Sequence, residues 1–312
     1  MSSLINLALM LGLLAAPSAA PLSSGPAGAK LVVVATVFPL AEFARDVAGD
    51  AAVVSLLLPP GADVHTWQPR VGDVRALASA DLLISVGGGL EPWLPGLVRG
   101  AAKPGLRRLE ASAGLAVLPA HQHEAGESEP ADHAEEAFDP HVWLDFGLDE
   151  AIVDSLAKAL TDLAPGEAPG FGRRAEALKE RLRALDAAFR EGLRACAGRE
   201  FILGGHAAFA YLARRYGLIQ TSLYGPSPDA APTPKTTAAI VARARRTKAR
   251  TIFYEPNVGD KMARLVAAEI GADIRLLHPG HNISPAQKAA GISFFRLMED
   301  NLEALRHGLA CR

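Results

Sequence analysis

The sequence predicts an α/β protein built in two halves, on three observations. Apolar, β-branched runs recur at 31–37, 53–58, 82–86, 201–204, 251–254 and 274–277. They are continuous rather than alternating, as strands buried on both faces of a parallel sheet require. Segments of helical periodicity at 71–79, 148–163, 206–216, 235–247 and 259–271 fall between those runs. Strand–helix alternation of this kind is the pattern of layered α/β folds. Finally, the chain has 312 residues, beyond the roughly 250–300 at which a single core stops growing, so two domains are expected.

Composition narrows the function classes. With 49% hydrophobic and 21% charged residues, 29 Gly and 22 Pro, the chain is neither disordered, collagen-like nor a long coiled coil. Lys plus Arg number 32 against 34 Asp plus Glu, a net charge of −2. No basic field holds a polyanion, which excludes nucleic acid as the expected partner. Two Cys are too few for a thiolate metal cluster, so any metal falls to His and carboxylates.

Taken in order, residues 1–29 carry no charged side chain and include an apolar stretch at 4–16, too short to span a bilayer as a mature helix. This reads as a secretory signal peptide, cleaved after Ala29 to leave Lys30 first, or after Ala20. No Cys follows the apolar run, so a lipid anchor is not indicated, and export makes Cys196 and Cys311 candidates for a disulfide. Residues 30–165 form the first domain. Within it, residues 121–136 hold six acids, His121, His123 and His133, and no large apolar side chain. Such a segment cannot bury a core face and is expected as a surface loop that binds divalent cations weakly.

Over 171–196, Leu178, Leu182, Leu185, Phe189 and Leu193 recur at spacings of 4, 3, 4 and 4, the stripe of a long amphipathic helix. Pro165-Gly166 and Pro169-Gly170 mark its entry and Gly198 its exit. The segment 166–196 is therefore a rigid linker joining two Rossmann-like halves, the second spanning 197–312.

The histidines suggest the chemistry. Outside the acidic loop, His307 lies in the terminal helix, while His65, His141, His206, His278 and His281 fall in loops or at element edges. His65 follows the strand 53–58 across Pro59-Pro60-Gly61, His206 follows 201–204, and His278 and His281 follow 274–277. Ligands of open α/β sheets bind outside the carboxyl ends of the strands, so distant regions point His to the same kind of place. Glu255, ending RTIFYE, is a candidate ligand or general base. No G-x-S-x-G elbow, phosphate loop or H-E-x-x-H helix is present, and Gly87-Gly88-Gly89 lacks the dinucleotide spacing.

Four stretches carry a family resemblance: SLLLPPGADVHTWQPRVGDV, FDPHVWLD, GGHAAFAYLARRYGL and TIFYEPNVGDKMARLVAAEIGADI. In this order they resemble the solute-binding proteins of bacterial zinc and manganese ABC importers. The acidic, His-bearing loop before FDPH resembles that of the zinc branch. The resemblance implies two α/β domains joined by a rigid helix, with one metal site in the cleft between them. It puts ligands at His65, His141 and His206. It places a fourth at His278, where many members carry Asp, with His281 and Glu255 as alternatives. Val64, Gln68 and Phe146 depart from the family's usual residues but leave the ligand chemistry intact. Imidazole nitrogens suit zinc (Zn²⁺), whereas Mn²⁺ prefers more carboxylate; Ni²⁺ and Cu²⁺ also bind such donors. His121, His123 and His133 would hold weaker additional zinc. A periplasmic, monomeric, non-enzymatic zinc carrier serving a membrane permease is thus expected. The alternatives are a zinc-dependent hydrolase with Glu255 as base, or a manganese-binding protein, metal buffer or adhesin of the same fold.

Overall fold

The computed structural model describes residues 30–119, 138–225 and 232–312. The expected leader, and the loop with His121, His123 and His133, lie outside the described residues.

The first half runs β1 (Leu31–Ala35), α1 (Phe38–Ala48), β2 (Ala52–Leu56), α2 (Val71–Ser79), β3 (Leu82–Ser85), α3 (Leu94–Ala101) and β4 (Arg107–Glu110). Its sheet is parallel, in the order β2-β1-β3-β4. Every residue of β3 is buried, which is why it reads as an uninterrupted apolar run. Two helices follow, α4 (Phe146–Leu163) and α5 (Ala168–Gly192). Asp145 caps α4, accepting from Gly147 N at 3.0 Å and Leu148 N at 3.4 Å, and so satisfies two N–H groups that the first turn leaves unpaired.

The second half repeats the plan. Its elements are β5 (Glu200–Leu203), α6 (Ala210–Tyr216), β6 (Ile219–Ser222), α7 (Pro234–Thr247), β7 (Thr251–Tyr254), α8 (Lys261–Ile270) and β8 (Asp273–Leu276), closed by α9 (Pro285–Ala289) and α10 (Phe294–Gly308). This sheet too is parallel, in the order β6-β5-β7-β8. The expected α/β class with two parallel-sheet halves and a linker helix is what the structure has.

The linker differs in its ends. The 25-residue α5 begins at Ala168, because Pro169 sits in the first turn, where its missing N–H costs nothing. It buries Leu178, Leu182, Leu185 and Phe189 and spans about 37 Å at 1.5 Å per residue. The second half is also less separate than its sequence suggests. α10 packs back across α1 and α5, setting Phe294 edge-on to Phe43 at 5.2 Å between ring centroids, so one apolar core runs through both halves. Cys196 and Cys311 form a disulfide that closes 115 residues, a cross-link worth up to roughly 4–5 kcal/mol in the chain-entropy model.

Candidate metal centre

The loop after β2 carries His65. Its backbone N–H donates to Asp63 Oδ1 at 2.9 Å, and Trp93 Nε1 donates to the neighbouring Val64 carbonyl at 2.9 Å. His141 follows β4 and leads into the 3₁₀ turn Val142–Leu144. Asp139 Oδ1 accepts from the His141 backbone at 2.9 Å and lies 2.8 Å from its Nδ1. His206 occupies the loop after β5. This loop is longer than the periodicity predicts, since α6 starts only at Ala210. Glu255, at the end of β7, answers it twice: Oε1 accepts from His206 N at 2.7 Å and Oε2 stands 2.7 Å from His206 Nδ1.

With their Nδ1 atoms facing carboxylates, His141 and His206 turn their Nε2 atoms toward each other, 3.2 Å apart. His65 completes a group whose ligand atoms all lie within 4.8 Å of one another, and its own Nε2 has no hydrogen-bond partner. A carboxylate behind a ring nitrogen fixes the tautomer and raises the basicity of the other nitrogen. Glu255 is therefore engaged behind His206 and lies outside the three-histidine donor group.

The segment after β8 presents its two histidines differently to the donor group. The His278 Nδ1 accepts from Gly280 N at 3.0 Å, its Nε2 is buried without a partner, and the residue lines a separate cavity with Tyr254, Arg264, Gln287 and Asn301. Asn301 clamps the His278 main chain, accepting from N at 2.7 Å and donating to O at 2.8 Å. His281 instead approaches the cluster, its ring centroid 6.5 Å from that of His65 and 6.2 Å from that of His206. Its Nδ1 has no partner, and its Nε2 stands 3.0 Å from Asn257 Nδ2. The cause is the turn at Pro279-Gly280. Gly280 has φ +82° and a side chain there would press on Met298 and Trp143, so the chain reverses and presents the residue beyond the glycine.

Burial, then the charges of His141 and His206, push His65 down to about 2. Burial and the surrounding imidazoles hold His281 well below its ordinary value, and burial lowers His278 to about 4. Burial also opposes charge on His206, yet the carboxylate of Glu255 and its contact carry that residue above its usual value. His65 and His281 are thus kept neutral, and a neutral imidazole keeps the lone pair that binds a borderline cation.

Buried imidazoles converging at the carboxyl ends of two parallel sheets, with a long helix joining the halves, define a bilobal metal-binding protein of the solute-binding class. Residues 33–308 match the family described as zinc-uptake complex component A, periplasmic. The chain belongs to that family. It is 33% identical over 284 residues to the zinc-binding lipoprotein AdcA of Streptococcus pneumoniae, a match that covers 90% of this chain but 56% of that protein; the chain thus spans about half of that relative. It is 29% identical over 288 residues to the high-affinity zinc uptake system protein ZnuA of Bacillus subtilis, covering 92% of this chain and 90% of that one. In structure it resembles the Zn(II)-bound ZnuA-like domain of Streptococcus pneumoniae AdcA, with a TM-score of 0.75 at 31% identity, covering 90% of this chain and 99% of that domain.

Proposed function

We propose that the protein captures one zinc ion between its lobes and delivers it to the membrane permease of an ABC importer. His65, His141, His206 and His281 are the proposed ligands. The carrying observation is the convergence of His65, His141 and His206, two of them backed by carboxylates. Four neutral imidazoles leave the full +2 of the ion uncompensated, and Asp139, Glu255 and Asp63, whose Oδ2 is 3.8 Å from His281 Nε2, supply the counter-charge around them. A closed sphere of four protein ligands favours holding the ion over activating water, and Glu255 is occupied with His206 rather than free to act as a base. The zinc-binding relatives support the choice of metal and the transport role. Export to the periplasm, a monomeric state and the domain limits 30–165 and 197–312 belong to the same reading.

The test is titration of the purified protein with zinc against a chelator, paired with a zinc-edge anomalous map of the complex. One tight equivalent, with density bonded to the four imidazoles at about 2.0–2.1 Å, is expected. Density bonded to His278, or no tight equivalent, would overturn the assignment.

A further inference from the structure

Two side chains of α6 grip the His141 segment on either side of the ligand. Tyr211 is fully buried. Its hydroxyl donates to the Asp139 carbonyl at 2.8 Å and accepts from Leu118 N at 2.9 Å. Four residues on, Arg215 Nη1 donates to Asp145 Oδ1 at 2.6 Å, and its Nε donates to Asp186 Oδ1 of α5 at 2.7 Å. Tyr216 donates to that same Asp186 oxygen at 2.8 Å. Residues four apart share one helix face, so Tyr211 and Arg215 read the segment together, one two residues before His141 and the other four residues after it.

Each contact reaches a group already committed to the site. Asp139 orients the His141 ring through its carboxylate while its carbonyl takes the tyrosine. Asp145 caps the helix that follows His141. Gly147 leaves room for the arginine, since a Cβ there would lie 2.5 Å from Arg215 Nη1. The helix that does the gripping begins four residues after His206.

We infer that Tyr211 and Arg215 are positioning residues that set the spacing of His141 against His206 across the two lobes before any ion arrives. This rests on the reading of those two histidines as ligands. The pair is then a pre-organised landing point, and His65 and His281 complete the sphere around an ion already held. Pre-organisation of this kind adds affinity by removing the cost of assembling the site on binding.

The test uses the full chain with Tyr211→Phe, Arg215→Met, the double variant and Arg215→Lys, read by zinc affinity in chelator competition and by the ligand-field absorption of bound Co²⁺. The double variant should weaken zinc by roughly 10–100-fold, the range for partners behind metal ligands. Its Co²⁺ spectrum should depart from that of the parent. Arg215→Lys should restore part of the loss, because an ammonium reaches one carboxylate but not both. Unchanged zinc affinity and an unchanged Co²⁺ spectrum, with only a lower melting temperature, would overturn the inference. Tyr211→Phe removes a single oxygen and is judged by the same two readouts should the double variant not fold. His206→Ala separates the two claims: tight zinc binding surviving that change overturns the ligand reading itself, whereas its loss beside unaltered Tyr211 and Arg215 variants overturns the clamp alone.

Discussion

The two sides of the metal centre are built differently. His141 and His206 have a carboxylate against Nδ1, at 2.8 and 2.7 Å, both rings are fully buried, and α6 ties their segments together. His65 sits on a partly exposed loop, and burial beside two other imidazoles pushes it down to about 2. His281 rides a glycine turn with one ring nitrogen unpartnered. One pair has a carboxylate close behind Nδ1, whereas His65 is only kept neutral and His281 meets Asn257 at 3.0 Å and the more distant Asp63 at 3.8 Å through Nε2. Affinity and order of assembly should therefore be unequal among four chemically identical side chains.

The largest expected effect follows directly. His141→Ala and His206→Ala should weaken zinc by more than the 10–100-fold typical of outer partners, and by more than His65→Ala or His281→Ala. His278→Ala should fall below all four. Competition titrations rank the five, and a loss at His278 matching that at His206 would erase the distinction.

The carboxylates come next. Asp139→Asn and Glu255→Gln keep the shape but remove the charge that fixes each imidazole, and roughly 10–100-fold weaker zinc binding is expected for each. Equal affinity in parent and variants would mean that the backing orients nothing.

How far the centre was legible in sequence follows from the same contrast. The inner strands β1, β3, β5 and β7 announce themselves because two-sided burial leaves few polar positions, and those at strand ends such as Ser85, Glu200 and Thr251. The edge strands β4 (RRLE) and β6 (IQTS) do not, since their residues are largely exposed or half-buried and resemble loop. His65 and His206 were legible from their places after strands, and His141 from the FDPH motif of the family. That His281 rather than His278 turns its ring toward these histidines was not, because it depends on the direction in which the backbone leaves Gly280, which no side-chain pattern records. Asp139 carried a weak signal, an acid two residues before a histidine, that acquires meaning only once the turn folds its oxygen onto Nδ1. The packing of α10 across both halves left none, since an amphipathic stripe does not name its partner.

Acidity offers a smaller but sharper probe. His206 is held above 6.5 in the folded protein, with Glu255 overcoming the effect of burial. In the metal-free protein, the stability this contributes is fully present below 6.5 and is lost as pH rises through the raised value. Zinc binding runs the other way, because the ion competes with the proton for the ring. Affinity should therefore begin to fall while pH is still above 6.5. In Glu255→Gln only the charges of Asp63 and Asp139 still oppose burial, and the onset should move to lower pH. Chelator competition between pH 5 and 8 reads both, and an onset that does not move would detach Glu255 from the titration.

The smallest effect on zinc should come from Asp149, one turn into α4 and next to the clamp. It is fully buried, and neither carboxylate oxygen has a hydrogen-bond partner. Burial, then the charge of Asp145, holds its acid well above the ordinary value against the pull of Arg215. A raised folded value means that the native state keeps a proton the unfolded chain releases. Stability is therefore full below the unfolded value of about 3.9 and declines as pH rises toward the folded one, by at most about 1.4 kcal/mol for each pH unit between them. Asp149→Asn removes the titration with almost no change of shape. The melting temperature of the metal-free variant should gain on the parent as pH goes from 5 to 8, while zinc affinity stays within a few-fold. Asp149 touches neither His141 nor the carboxylate behind it, so a large zinc effect here would show that the clamp depends on the charge state of α4 and not on the two contacts from α6 alone.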